Sequence, residues 1–338
     1  MLVVRPARES DLDQLFGLIQ RSEEGLTSLK ITREQLHDRI ETSTFAFGRS
    51  SRKLSGLPYV FVMEDTDAGS LVGTSSIYSK VGGYEPFYAY RIEKSIHQSV
   101  ELKVYREIDV LHLNREHNGP TEIGSLFLAP EYWGKGNGKL LSLSRFLYMA
   151  EYPERFDVQT IAEMRGVIDK EGRSPLWDAL GSHFFQIEFP RAVMQMSISK
   201  RFIAELMPEH PIYLPLLPES AQKVVGQVHR NTEPALAMLK KQGFRHQGLV
   251  DIFDGGPVVH AETRSIATIA LSREYTVDQV TDFDQTHVPL HMIAATEENF
   301  AVTVSGVNFQ EGRVQISPAA AAALQLESGS RIRIAPLG

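Results

Sequence analysis

Three glycines, Gly134, Gly136 and Gly138, stand between an apolar run and a helical pattern, and no other stretch limits the fold of this chain as tightly. Upstream, Ile123 to Leu128 reads as a buried strand, ended by Pro130, which has no N–H for a sheet ladder. Downstream, Leu140, Leu143, Leu147 and Ala150 recur at helical spacing, and Phe146 widens the same apolar face. Glycine opens backbone angles closed to other residues and leaves no side chain between main chain and ligand. The amides that begin the helix lack intrahelical partners and lie at its positive end. Strand, turn and helix together predict an anion site suited to a diphosphate. The helix dipole contributes only ~0.3–1 kcal/mol per exposed charge, so the amide hydrogen bonds carry most of the affinity. An ordinary glycine turn between two elements is the plainer reading of the same residues.

Two common phosphate motifs are excluded by spacing. Lys139 is followed by Leu140 rather than Ser or Thr, so the Walker pattern fails. The glycines run G-x-G-x-G, which is not the dinucleotide fingerprint.

Composition narrows the remaining classes. The 338 residues suggest two domains, or one large domain with an appendage. An apolar share of 42% supports a large core, and no segment approaches the ~18 apolar residues of a membrane span. The opening MLVVRPARESD has no signal-peptide character, which predicts a cytoplasmic protein with no membrane partner. The net charge of −7 and the scattered Lys and Arg argue against nucleic acid. The chain has no cysteine, which excludes disulfides, thiolate metal sites and a cysteine acyl-enzyme. His287 and His291 are spaced like helical metal ligands, but Pro289 lies between them, so no metal site is expected.

Along the chain, Leu2–Val4 predicts a strand, and Leu12, Leu15, Phe16 and Ile19 a helix capped by Ser10-Asp11. Gly25 to Leu29 predicts a loop, and Thr32 to Thr42 a second helix. Tyr59–Asp65 and Leu71–Tyr78 predict a hairpin around Asp67-Ala68-Gly69. Residues 79–118, rich in aromatics and histidine, are an insertion that either adds strands over the active-site face or is a surface excursion. Val158 to Ile168 predicts a strand with Glu163 and Arg165 on one face. Ser174-Pro175 starts a helix stopped by Gly181, and Phe184 to Phe189 a dense apolar strand. A connecting segment spans 190–230, followed by a helix ending at Gly243-Phe244 and a strand from Gly248 to Phe253. The break at Asp254-Gly255-Gly256-Pro257 predicts a boundary between domains 1–257 and 258–338. The second domain is expected to be small and β-rich, with strands at 258–270, 290–296, 300–306 and 313–316, a helix over 318–326 and a last strand at 331–335.

The glycine turn resembles the coenzyme A loop of the GCN5-related N-acetyltransferase superfamily, in which Arg or Gln precedes G-x-G-x-Gly/Ala. Gly134, Gly136 and Gly138 match, while Trp133 occupies the Arg/Gln position. The RPA-x-x-x-D opening, the Val72-Gly73 pair and the tail at Gly243-Phe244 fit the same superfamily. Blocks such as AEMRGVID (162–169), FIAELMPEHPIY (202–213), VGQVH (225–229) and DIFDGGP (251–257) are similar to the arginine N-succinyltransferase family, through about residue 257. The resemblance implies an α+β fold: a mixed central sheet flanked by helices, with an insertion and a β-rich C-terminal domain. It implies transfer of succinyl from succinyl-CoA, a co-substrate and not a resident cofactor, to the α-amine of L-arginine or also ornithine. Homo-oligomers, or hetero-oligomers with a paralogous subunit, are expected. A different amine, or a non-catalytic partner subunit, are the alternatives.

For such chemistry, coenzyme A contacts are expected at Leu126, Phe127 and Leu128 and at Gly134, Lys135, Gly136, Asn137, Gly138 and Lys139. The resemblance puts a succinyl-CoA contact at Leu126 and the proton donor at His229. Substrate contacts are expected from Glu163, Arg165, His210, Asp251 and Asp254, with internal ion pairs the plainer role for the carboxylates.

Overall fold

The computed structural model describes residues 1–22, 27–48, 56–196, 198–284, 287–297, 299–310 and 313–337. Gly25 and Leu26 of the expected loop lie outside them, and residues 27–29 form a short 3-10 turn. Among the described residues, no helix is long and apolar enough to cross a membrane.

The chain opens with β1 (Leu2–Pro6), α1 (Leu12–Ile19) and α2 (Arg33–Gly48). The expected hairpin follows as β2 (Pro58–Asp65) and β3 (Ser70–Tyr78), turning through Gly69 at φ 62°. The insertion is two long strands, β4 (Gly82–Ser99) and β5 (Val104–Asn118), paired along their length. Then come β6 (Thr121–Leu128), α3 (Asn137–Glu151) and β7 (Gln159–Glu163). The connecting segment holds α4 (Ser182–Phe185), α5 (Phe189–Met196), α6 (Arg201–Leu206), β8 (Ile212–Tyr213) and α7 (Glu219–Gln222). Helix α8 (Glu233–Lys241) leads into β9 (Arg245–Val250) and β10 (Pro257–Glu262). The remainder is α9 (Ala267–Leu271), β11 (Arg273–Val280), β12 (Leu290–Ala295), β13 (Ala301–Gln310), β14 (Arg313–Ile316), α10 (Pro318–Leu324) and β15 (Arg331–Pro336).

All strands join one mixed sheet, in the order β12-β15-β11-β14-β13-β1-β2-β3-β6-β7-β10-β9-β4-β5-β8. Helix α3 buries Leu140, Leu143, Phe146 and Leu147 against one face of its centre, and α1 and α2 cover the other with Leu15, Ile19, Leu36 and Ile40. A second core forms around Trp177, stacked on Phe253 at 5.2 Å, with Tyr90 and Leu111 of the insertion. The C-terminal strands and α10 enclose a third, built on Val277, Ile293, Val314 and Ile332.

Several expectations change. The strand expected over Phe184 to Phe189 is helical on both sides of Gln186, whose left-handed φ of 53° ends α4. Gly181 does not stop the preceding helix. It lies in a π-turn (Trp177–Gly181) where a Cβ would approach the Trp177 ring to 2.3 Å. The strand expected to reach Ile168 ends at Glu163, because the amides beyond it bond elsewhere: Met164 N–H to the Pro257 carbonyl and Gly166 N–H to Asp254. Alternation therefore does not carry Arg165 onto the face of Glu163. The boundary expected after Pro257 falls at the start of β10, which pairs with β7 and β9 inside the central sheet. The expected strand at 258–270 splits into β10 and α9, and β11 is additional.

The DGGP break is a knot rather than a linker. Asp251 Oδ1 accepts the amides of Phe253 (2.7 Å) and Asp254 (2.8 Å), and Asp254 bridges Gly166 and Gly256, each at 2.8 Å. Any side chain at position 256 would put Cβ 1.9 Å from the Met164 carbonyl oxygen. Gly256→Ala is expected to cost more than ~3 kcal/mol, read as a lower urea midpoint, since it forces both backbone segments apart. An unchanged midpoint would contradict this packing.

Candidate active site

Strands β6 and β7 run parallel but share register only at Thr121↔Thr160 and Glu122↔Ile161. Beyond Glu122 they diverge into a wedge. On its other edge β6 stays paired with β3, through a bulge: Ser76 faces Gly124, Thr74 faces Phe127, and Ser125 takes a φ of 51°. The bulge turns the strand beside the open wedge, where main-chain groups have no neighbouring ladder. Leu126 and Leu128 are half-buried here, and the Phe127 side chain is core.

The glycine loop lies at the wide end of the wedge. Gly134, Lys135 and Gly136 all adopt left-handed angles, with φ of 91°, 51° and 84°. Lys135 is the costly member, since an ordinary residue in this region is strained by ~1–3 kcal/mol. Among the described residues, no main-chain acceptor takes the amides of Gly134, Lys135, Gly136 or Gly138, and the loop is exposed or half-buried. The loop is braced from below. Asn137 Nδ2 donates to the Tyr132 carbonyl at 2.9 Å, so this side chain holds the loop. Lys139 is half-buried in the first turn of α3. Trp133, in the Arg/Gln position of the resemblance, donates its indole N–H to the Leu128 carbonyl at 2.8 Å and leaves its ring 62% exposed. A cavity of about 210 Å³ adjoins the loop between Lys135, Asn137, Met1, Thr303 and Leu337. It opens toward the C-terminal strands and not into the wedge.

At the narrow end stands a group of carboxylates with no close cation among the described residues. Burial pushes Glu122, at the last paired position of β6, up to about 7, with Lys200 pulling it partly back. Glu163 is raised well above the usual carboxylate range, first by burial and then by Glu122 and Asp251. Its side chain is nevertheless open to water. Burial likewise raises Asp251, against its amide hydrogen bonds. Asp254, expected to contact substrate, is buried with both oxygens accepting main-chain amides.

His229 lies on the same side, its amide donating to the Arg165 carbonyl at 2.9 Å. Its Nδ1 accepts the Asn231 amide at 3.2 Å, which places the proton of the neutral ring on Nε2. Arg165 is half-buried beside it. His210 is exposed next to β8, at the far edge of the sheet, and no hydrogen bond among the described residues ties it to the wedge. Glu122 and Lys200 carry no motif and were not singled out by sequence. Only the pairing of β6 with β7 and the fold of the connecting segment bring them to Glu163.

The family model for the arginine N-succinyltransferase beta subunit matches residues 2–268, and that for its C-terminal domain matches residues 273–336. The chain belongs to the arginine N-succinyltransferase family. It is 42% identical over 337 residues to arginine N-succinyltransferase subunit beta of Pseudomonas aeruginosa, covering 99% of this chain and 98% of the relative. It is 41% identical over 340 residues to arginine N-succinyltransferase of Photorhabdus laumondii, covering 100% and 98%. A solved structure, the arginine/ornithine succinyltransferase subunit AI of Pseudomonas aeruginosa, superposes with a TM-score of 0.90 at 34% identity, covering 100% of this chain and 99% of that one. The protein is thus an acyltransferase of the expected α+β architecture. Its two family segments meet between residues 268 and 273, after β10.

Two expectations follow for an arginine N-succinyltransferase built this way. Trp133→Phe removes one neutral hydrogen bond to the Leu128 carbonyl, so the free energy of unfolding in urea should fall by ~0.5–1.5 kcal/mol. Glu122 binds a proton more tightly folded than unfolded. Its contribution to stability is therefore highest below its unfolded pKa of about 4.3 and declines as pH rises toward 7. Glu122→Gln should leave thermal stability unchanged at pH 4 and raise it at pH 8; equal shifts at both would contradict the buried carboxyl.

Proposed function

We propose that this protein transfers the succinyl group of succinyl-CoA to the α-amine of L-arginine by direct attack in a ternary complex. The observation that carries this reading is one wedge with an unoccupied row of amides at its wide end and unpaired carboxylates with His229 at its narrow end. The names of the relatives supply the succinyl group and arginine.

In this reading the diphosphate rests on the amides of Gly134 to Gly138 and the pantetheine runs down the wedge. A main-chain amide near Leu126 holds the thioester oxygen as it becomes an oxyanion. Glu163 lies two residues beyond Ile161 on β7, across from the bulge, and its raised proton affinity suits it to accept a proton from the α-ammonium. The amine nitrogen then attacks the carbonyl carbon, the C–N bond forms and the C–S bond breaks. His229 supplies a proton from Nε2 to the departing thiolate, and the proton that the nitrogen sheds as the amide forms refills the ring. Asp251 remains to hold the guanidinium. Ornithine acceptance, and assembly with a second copy or a paralogue, belong to the same proposal.

The test is thiol release by the purified chain with arginine, ornithine and lysine against succinyl- and acetyl-CoA. Succinyl-CoA with arginine should be the fastest pair. His229→Ala should lower kcat about 10²–10⁴-fold while coenzyme A affinity changes less than about threefold. Equal loss of turnover and affinity would remove His229 from the chemistry.

A further inference from the structure

The wedge is acidic, yet the acyl group proposed for it ends in a carboxylate. Glu122, Glu163 and Asp251 would repel that end unless a cation stands beside them. The order of groups along β6 shows where the end falls. The glycine loop is at the wide end, the bulge at Ser125 lies midway, and Glu122 closes the narrow end. An acyl chain whose thioester carbonyl rests at the bulge points away from the diphosphate, toward Glu122.

Resting on the succinyl-transfer reading, we propose that Lys200 receives the free carboxylate of the acyl group and so selects a dicarboxylic acyl-CoA. Lys200 precedes α6 and is half-buried. Its main chain is fixed by the insertion: Glu85 of β4 accepts the Lys200 amide at 3.2 and 3.3 Å and the Ser199 hydroxyl at 3.3 Å. The ammonium is close enough to pull on both Glu122 and Glu163. Among the described residues no carboxylate comes within salt-bridge distance of it, so its charge is not spent on a close pair. A lysine suits this task, as a compact point charge with three donors on a flexible stem. In its protonated form, which burial favours, Glu122 would donate a hydrogen bond to the same carboxylate.

The amino-acid substrate also carries a carboxylate, so the test uses no amine. Wild type and Lys200→Met are titrated with succinyl-CoA and with butyryl-CoA, which has the same chain length and no charge. Wild type should prefer succinyl-CoA. Lys200→Met should weaken succinyl-CoA about 10–100-fold and butyryl-CoA less than about threefold, and Lys200→Arg should recover part of the loss. Equal weakening of both ligands assigns Lys200 to the scaffold and overturns the proposal. An unchanged succinyl-CoA affinity, or a wild type indifferent to the acyl charge, overturns it as well. Failure of the catalytic reading looks different: wild type would bind succinyl-CoA with the same preference and release no thiol with arginine.

Discussion

The parting of β6 from β7 after Glu122 is the constraint on which the rest of the molecule depends. Separating two central strands exposes main-chain donors and acceptors that a folded protein must satisfy elsewhere. On β7 the substitutes are specific. Met164 donates to the Pro257 carbonyl, Gly166 donates to Asp254, and the Arg165 carbonyl accepts from His229. The DGGP knot and the VGQVH segment therefore replace the missing ladder, and in doing so they bring Asp251 and His229 to the opening. On β6 the bulge at Ser125 and the indole of Trp133 on the Leu128 carbonyl perform the equivalent task. The features that hold the wedge open are the ones that furnish it.

An opening of this kind changes the behaviour of the acids around it. Glu122, Glu163 and Asp251 are crowded by protein and by one another with no close counter-ion among the described residues, so each holds its proton more tightly than usual. Elsewhere in the chain, carboxylates at comparable depth are paired: Asp11 with Arg5 at 2.7 Å, Glu151 with Arg331 at 2.8 Å and Arg333 at 2.9 Å. Leaving carboxylates unpaired costs stability, and the places where a fold tolerates that cost are candidates for ligand contact.

Local chemistry was legible in the sequence, and assembled chemistry was not. The glycine loop could be read because it is written in consecutive backbone angles: Gly134 and Gly136 lie between β6 and α3 with positive φ, and Gly138 falls in the first turn of the helix. Phe184 to Phe189 misled because a dense aromatic run has no period of its own: Phe185 packs on Trp177 at 5.1 Å from a helix as readily as from a strand. A carboxylate beside glycines serves either a ligand or the main chain, and the hydrogen bond from Gly166 to Asp254 joins segments that nothing in the sequence shows to be neighbours. Glu122 and Lys200 could not be read at all, since 78 positions separate them and nothing local in either segment anticipates their meeting.

The insertion shows how such a meeting is arranged. Strands β4 and β5 extend the sheet through Tyr90 and Arg91 on β9 and through Val110 and Leu111 on β8, and their inner residues are core. A surface excursion would leave the base of the hairpin exposed, whereas Phe87, Tyr88, Ala89 and Tyr90 are buried there. From this fixed base Glu85 reaches the amide of Lys200, tying the connecting segment to the sheet. A strand pair added to the sheet thereby fixes the main chain of Lys200, so the acyl selectivity proposed for that residue would depend on the added strands, which leave the glycine loop untouched.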